Sequence, residues 1–300
     1  MAYLTQPQVI DHGTVNQLLN GLCARYRFFS AVPIGCSVLG RPIRGLTFGN
    51  GTDRVLMAAA FHGQEWLTAL ICLRLCEEIG NALDTGKVLA GWNMRRALRD
   101  RQIVWVPLVN PDGVEIAVHG AATAGAYAEQ VRDNGGDIHG RWQANARGVD
   151  INHNFNAGFK ELQQEERKKG IVGPAARQWG GPYPTSEPET SALVELCNSV
   201  SFRHVVALHS QGEEIYWHYG EHTPPESRLM ASVMAAVSGY TVAAPDGLAA
   251  HGGFKDWFID THHKPGFTVE LGKGTNPLPV TAFESVYQKA RDLLVVALLI

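Results

Sequence analysis

The sequence predicts an α/β fold, built on one mixed, largely parallel, twisted sheet with helices on both of its faces. Three observations carry that expectation. Short apolar runs ("RVLMAAAF", "QIVWVPLV", "RHVVAL", "GFTVEL") alternate with segments spaced at the helical period, which is the pattern of parallel strands joined by crossover helices. Those runs are apolar at nearly every position, as strands covered on both sides must be. Finally, 300 residues with 45% hydrophobic content suffice for one sizeable core. No linker, internal repeat or low-complexity stretch interrupts them, so residues 1–300 read as a single domain with its core at about 45–290.

Each element follows in order. Val15, Leu18, Leu19 and Leu22 share one helical face within residues 14–28, and "SVLGRPIRGLTFG" gives two extended runs about a turn at Gly40; this N-terminal helix and hairpin pack on the core. "RVLMAAAFH" is a buried strand leading into a helix at about 66–80, whose apolar positions are Leu67, Leu70, Ile71, Leu73, Leu75 and Ile79. "QIVWVPLVNPDG" is a central strand closed by turn residues. Residues 118–148, rich in Gly, Ala, Asn and His without periodicity, read as long loops. "FKELQQEERKKG" is a charged helix with a solvated face. In "SEPETSALVELC", Ser186 stands where a helix cap belongs and Glu189, three residues on, completes a capping box. Two further strands, "RHVVALHS" and "GFTVELG", and a helix from about Thr281 end the chain.

Composition narrows the partners. With a formal charge of -3 and Lys and Arg scattered along the chain, no nucleic-acid surface is expected and a small ligand is. The longest apolar run, "LLVVALLI", is far short of the roughly 20 residues that span a bilayer, so no membrane contact is expected. The start, "MAYLTQPQVIDHG", lacks the basic and apolar segments of a secretion signal. The five cysteines are odd in number and form no Cys-x-x-Cys pair. Reduced packing cysteines and a cytoplasmic location are the expectation.

The chemistry gathers where strands end. In open α/β sheets ligands bind outside the carboxyl ends of the strands, and here "VLMAAAF" ends on His62 and Glu65, "VVAL" on His209 and "FTV" on Glu270. Taken singly, Glu65 could cap a helix and His209 could be a hydrogen-bonded, half-buried histidine. Taken together, two imidazoles and one carboxylate are a ligand set for one catalytic zinc ion that keeps a position open for water. Glu270 then serves as general base toward that water and as general acid toward a leaving amine, the protein parts needed to hydrolyse an amide.

These residues stand within "HGQE", "NPDG", "GVDINHNF", "LHS" and "FTVELG", an ordered set that resembles the zinc carboxypeptidases of the carboxypeptidase A type. The resemblance implies that family's α/β/α fold, a zinc metallopeptidase activity, one zinc ion on His62, Glu65 and His209, and Glu270 as the base. Within the family, "WQANARGVDINHNFNAGF", "GGPYPTSEPET" and "ALHSQGEEIYW" resemble bacterial peptidases that split the γ-D-glutamyl bond to meso-diaminopimelate. The expected substrate is a small peptidoglycan-derived peptide. The alternatives are a general carboxypeptidase, an N-acyl amino acid deacylase, or a non-enzymatic pseudopeptidase that binds wall peptides.

Departures from the family bear on substrate. Asn152 is followed by His153 where the digestive enzymes have an arginine that clamps the substrate carboxylate, which exchanges a permanent bidentate cation for a titratable one. Gln143 replaces the arginine that stabilises the oxyanion, and Arg147 or Arg141 is the expected substitute. Leu248 takes the place of a mobile tyrosine. Lys255 falls at the pocket floor, which implies an acidic group on the departing residue; diaminopimelate carries a second carboxylate on its side chain. Asn152, Ser210 and Gln211, beside the metal motifs, are further expected substrate contacts, whereas His119, His139, His218, His251, His262 and His263 read as surface or structural.

Overall fold

The expected alternation of strands and helices is present in the computed structural model, which describes residues 3–137, 140–245 and 247–300. Its strands are β1 (Ser30–Cys36), β2 (Pro42–Phe48), β3 (Asp53–Ala59), β4 (Val88–Leu89), β5 (Trp92–Asn93), β6 (Arg101–Val106), β7 (His204–His209), β8 (Glu214–Tyr216), β9 (Thr241–Ala243) and β10 (Gly266–Glu270). Among the described residues, eight of them form one sheet in the order β1-β2-β6-β3-β7-β10-β8-β9, and β4 and β5 form a separate ribbon. The four central strands β6, β3, β7 and β10 are parallel. Antiparallel pairing joins β2 to β6, β1 to β2 and β8 to β10.

Side chains along the central strands alternate between two cores. Val55, Met57 and Ala59 of β3 and Val206 and Leu208 of β7 belong to the larger one, together with Leu70 and Leu73 of α2 (Leu67–Thr85) and Leu293 of α10 (Phe283–Leu299). Leu56, Ala58, Val205 and Ala207 face the other way, onto Leu193 of α7 (Pro188–Ser199) and Phe254 and Phe258 of α9 (Phe254–His262). This period of two, read on strands buried on both faces, is why the runs look continuously apolar in the sequence. No described helix is long and apolar enough to cross a membrane. Cys72, Cys76 and Cys197 are buried as packing residues, whereas Cys36 is exposed on the edge strand β1.

The structure corrects several local expectations. The hairpin strands flank residues 37–41, so the first strand precedes the expected one, with Gly40 at φ +76° in the turn. Within 118–148, expected to be loop, α4 (Pro111–His119) is followed by a 3-10 segment at Ala121–Tyr127 and by α5 (Ala128–Asp133). Alanine supplies helical propensity there without an apolar stripe that a periodicity reading would register. The capping box at Ser186 does not form. Helix α7 begins at Pro188 with Glu187 as its cap residue, Ser186 donates to the Glu187 carboxylate at 2.8 Å, and Glu189 accepts from the Val38 N–H at 3.1 Å. Tertiary partners outcompete the local motif. His139 lies outside the described residues.

His204 opens β7 in full burial and donates through Nε2 to the Ala297 carbonyl of α10 at 2.7 Å. Burial holds its proton affinity down, from the ordinary 6.5 to about 4. The unfolded chain therefore binds a proton that the folded chain refuses between these values, so stability falls as pH drops from 6.5 toward 4. The loss amounts to about 3 kcal/mol. In urea denaturation, the stability advantage of the wild type over His204→Asn is expected to shrink by that order between pH 7 and pH 4.5.

Candidate active site

The turn after β3 is built for close approach. Ala60 takes a left-handed φ of +51°, and its N–H donates to Thr68 Oγ1 at 2.9 Å while that hydroxyl donates to the Glu65 carbonyl at 2.8 Å. A Cβ on Gly63 would lie 2.1 Å from the Gly113 carbonyl oxygen, so only glycine fits. Asn110, the cap residue of α4, donates to the Phe61 carbonyl at 3.0 Å and pins the turn from the neighbouring strand. His62 emerges from this frame, and the 3-10 turn Gly63–Glu65 brings Glu65 back beneath it.

The sheet order supplies the remaining groups. Strand β7 lies beside β3 and ends on His209, and β10 lies beside β7 with Glu270 in register with His209. His62, Glu65 and His209 are buried, and a ligand atom from each falls within 4.8 Å of the others. His62 Nδ1 is 2.8 Å from Glu65 Oε1, and His209 Nδ1 is 3.2 Å from Glu65 Oε2 and 3.3 Å from His62 Nδ1. Burial opposes charge here. Even so, Glu65 and Asp150 hold the His62 proton affinity well above its ordinary value, and the imidazoles draw Glu65 down to about 2. Burial lowers His209, with His62 adding to the effect against a hydrogen bond to Glu65. The group attracts positive charge and has no room for two imidazolium ions, which fits a single divalent cation held by two neutral imidazoles and a carboxylate.

Asp150 organises the wall of the site, and sequence reasoning missed it. Its buried carboxylate lies 3.2 Å from His62 Nε2 and accepts from Gln143 Nε2 at 2.8 Å, the Gln178 N–H at 3.0 Å and the Asn152 N–H at 3.2 Å. Burial would raise its pKa, but His153, His62 and these donors outweigh it and hold the carboxyl well below the usual range. The only signal in the sequence is an acid inside the otherwise apolar "GVDI".

A cavity of about 160 Å³ opens on His62 and His209 and is also lined by Gln143, Asn152, His153, Lys255 and Glu270. Burial, with the Glu65 carboxylate adding to it and His62 opposing, pushes Glu270 well above the ordinary carboxylate range; a bound dication acts in the opposite sense. Asn152 Oδ1 accepts from the Phe254 N–H at 3.0 Å, and His153 Nδ1 lies 3.2 Å from the Gln178 carbonyl. Lys255 is only 3% exposed: it pairs with Asp256 and donates to the His218 carbonyl at 2.9 Å. Leu248 lines the same cavity.

Other expected contacts are engaged by the protein itself. Gln143 spends its amide on Asp150, so it is a support for His62 before it is a donor to substrate. Arg147 is outside the cavity; it reaches toward Glu187 at 3.5 Å and Tyr127 at 3.4 Å, because its backbone is tied to Asn145 on the far side of this loop. Ser210 donates to Asn276 at 2.9 Å, and its N–H meets Glu65 at 3.2 Å, which makes it a brace for the ligand set. His119 pairs with Asp11 at 2.9 Å on the surface. Because Asp150 faces the His62 ring nitrogen that points away from Glu65 and His209, Asp150→Asn is expected to weaken zinc binding by about 10- to 100-fold, read by competition with a chromophoric chelator.

Comparison with known proteins identifies the family. The family model described as zinc carboxypeptidase matches residues 15–292. The chain is 36% identical over 294 residues to gamma-D-glutamyl-L-diamino acid endopeptidase 1 of Lysinibacillus sphaericus, covering 97% of this chain and 72% of that one. It is 24% identical over 258 residues to carboxypeptidase A2 of Rattus norvegicus, where it spans 57% of the relative's length. Bovine thrombin-activatable fibrinolysis inhibitor, solved with a tick carboxypeptidase inhibitor, superposes with a TM-score of 0.76 at 18% identity, over 97% of this chain and 96% of that one. With the family's catalytic zinc and a His-Glu-His group at the strand ends that suits it, the chain belongs to the zinc carboxypeptidase family and is a zinc metallopeptidase.

Proposed function

We propose that the chain hydrolyses the γ-D-glutamyl to diamino acid bond of small peptidoglycan-derived peptides, with His62, Glu65 and His209 holding one zinc ion and Glu270 acting as general base. The observation that carries this reading is the pocket floor, where buried Lys255 is paired with Asp256. A lone buried lysine would call for a bare anion. A buried lysine and aspartate that already neutralise each other add no net charge, and they match a ligand end that likewise bears one cation and one anion. The far end of a diaminopimelate side chain carries an amine and a carboxylate. The 36% identity to an endopeptidase acting on γ-D-glutamyl-diamino acid bonds supports the same assignment.

When bound, the zinc ion supplies Lewis acidity, which lowers the pKa of a water and polarises a scissile carbonyl. The chain's own residues do the rest. Glu270, at the end of β10 and facing the cavity, takes a proton from the attacking water as the carbon–oxygen bond forms. It returns that proton to the amide nitrogen as the carbon–nitrogen bond breaks, so the products are an acid and a free amine and the carboxylate is regenerated. Asp150 keeps His62 in one orientation throughout. Asn152 and His153, on the cavity wall, meet the departing residue.

Purified zinc-loaded protein incubated with a muropeptide digest is expected to release diaminopimelate-terminated fragments by mass spectrometry, and a chelator is expected to stop it. Glu270→Gln should retain zinc and lose about 10²- to 10⁴-fold in kcat; undiminished turnover would reject Glu270 as the base. Replacing diaminopimelate by lysine in the substrate removes the far carboxylate and is expected to lower kcat/KM by about 10- to 100-fold. Equal turnover of both peptides would favour a general carboxypeptidase.

A further inference from the structure

A second cleft, of about 440 Å³, shares no lining residue with the first cavity; its walls include Gln64, Arg141, Arg177, Gln211 and Asn276. It begins at the metal group itself. Gln64 sits between His62 and Glu65, Gln211 follows Ser210, and Asn276 donates to the Ser210 carbonyl at 2.6 Å and lies 3.4 Å from Glu65 Oε1. The two spaces are joined at a seam, where Gln64 donates to Gln143 at 3.3 Å and Arg177 is followed by Gln178, which lines the first cavity. The His62–Glu65–His209 group thus adjoins both: His62 and His209 line the first cavity, and Glu65 meets Asn276 of the second.

Among the described residues, the charge of this cleft is uncompensated. Its lining holds two arginines and no carboxylate, and neither guanidinium has a hydrogen-bond or ion-pair partner among the described residues. Their backbones are nonetheless fixed. The Ala176 carbonyl accepts from the N–H groups of Gln143 and Ala144, each at 3.0 Å, and Gln178 is held at φ +70° with its N–H on Asp150. Arg141 precedes Trp142, which is buried and bonded through Nε1 to the Asn145 carbonyl at 3.1 Å. Two permanent cations from separate segments converge on one cleft beside amide groups, an arrangement suited to a carboxylate.

From this we infer that the Arg141–Arg177 cleft binds a free carboxylate on the residue that contributes the scissile carbonyl, and so distinguishes a γ-glutamyl bond from an ordinary α-peptide bond. The inference rests on the function proposed above, in which the leaving residue fills the cavity floored by Lys255. In a γ-linked glutamyl residue the chain departs through the side-chain carboxyl, and the α-carboxylate is left free a few bonds from the reacting carbon. An α-linked residue with an uncharged side chain has no anion there.

The test compares N-acetyl-L-alanyl-γ-D-glutamyl-meso-diaminopimelate with its analogue in which the glutamyl α-carboxylate is an amide. Wild-type holoenzyme is expected to prefer the carboxylate by about 10- to 100-fold in kcat/KM, and that ratio should collapse toward one in the Arg141→Gln, Arg177→Gln double variant. A preference that persists in the double variant, or is absent from the wild type, overturns the inference. Equilibrium titration of the zinc-loaded proteins with N-acetyl-D-glutamate and with its α-amide reads the same contact without turnover. Tighter, arginine-dependent binding of the acid with neither peptide cleaved would retain the anion site and reject the proposed bond. Cleavage of both peptides with no arginine-dependent discrimination in either assay would retain the bond and reject the site.

Discussion

Parallel pairing of β3, β7 and β10 is the constraint from which the site follows. Neighbouring parallel strands end at the same edge of the sheet, so side chains placed at or just past the last paired residue of each are brought together without any further device. His62 follows β3, while His209 and Glu270 are the terminal residues of β7 and β10. Shifting one strand by a single residue would turn its terminal side chain to the opposite face. The hydrophobic cores on both faces resist that shift, because Leu56, Ala58, Val205 and Ala207 would then exchange cores with Val55, Met57, Val206 and Leu208. The apolar interior and the polar edge are two readings of one register.

Asp150 is the second constraint, and it acts on the part of the site that no strand supplies. The loop from Trp142 to Asn154 has no regular structure longer than a 3-10 turn, yet it carries Gln143, Asn152 and His153 into the cavity. Its order comes from a buried carboxylate that accepts hydrogen bonds from Gln143, Gln178 and Asn152 and faces His62. A buried charge demands such partners, and once they are supplied it fixes them all. The His62–Glu65–His209 group and the cavity wall therefore share one anchor.

How much of this is legible in sequence depends on whether the information is local. The sheet and the convergence of His62, Glu65 and His209 are legible, since apolar runs reveal strands and strand ends reveal where side chains meet. Asp150 is not, because its importance lies in partners 28 and 88 residues away, at Gln178 and His62. The Ser186 capping box has the right spacing and still fails, since Val38 and Asn154 compete for Glu189 and Ser186. Lys255 is legible as a pocket residue by family resemblance. Its partner Asp256 stands next to it in the chain, but only the fold shows both lining the cavity, with Lys255 also held by the His218 carbonyl. Arg141 and Arg177 lie in stretches without periodicity, so only the folded chain brings them to one cleft.

The sealed Lys255–Asp256 pair divides the binding surface into two halves that respond differently to ionic strength. Lys255 and Asp256 are 3% and 2% exposed and cancel each other's charge, so mobile ions find little field at that end. Arg141 and Arg177 are exposed and uncompensated among the described residues, and counter-ions at physiological salt screen such charges beyond about 8 Å. On the proposed binding mode, dissolved electrolyte thus loosens the grip on one end of a substrate while leaving the other nearly untouched.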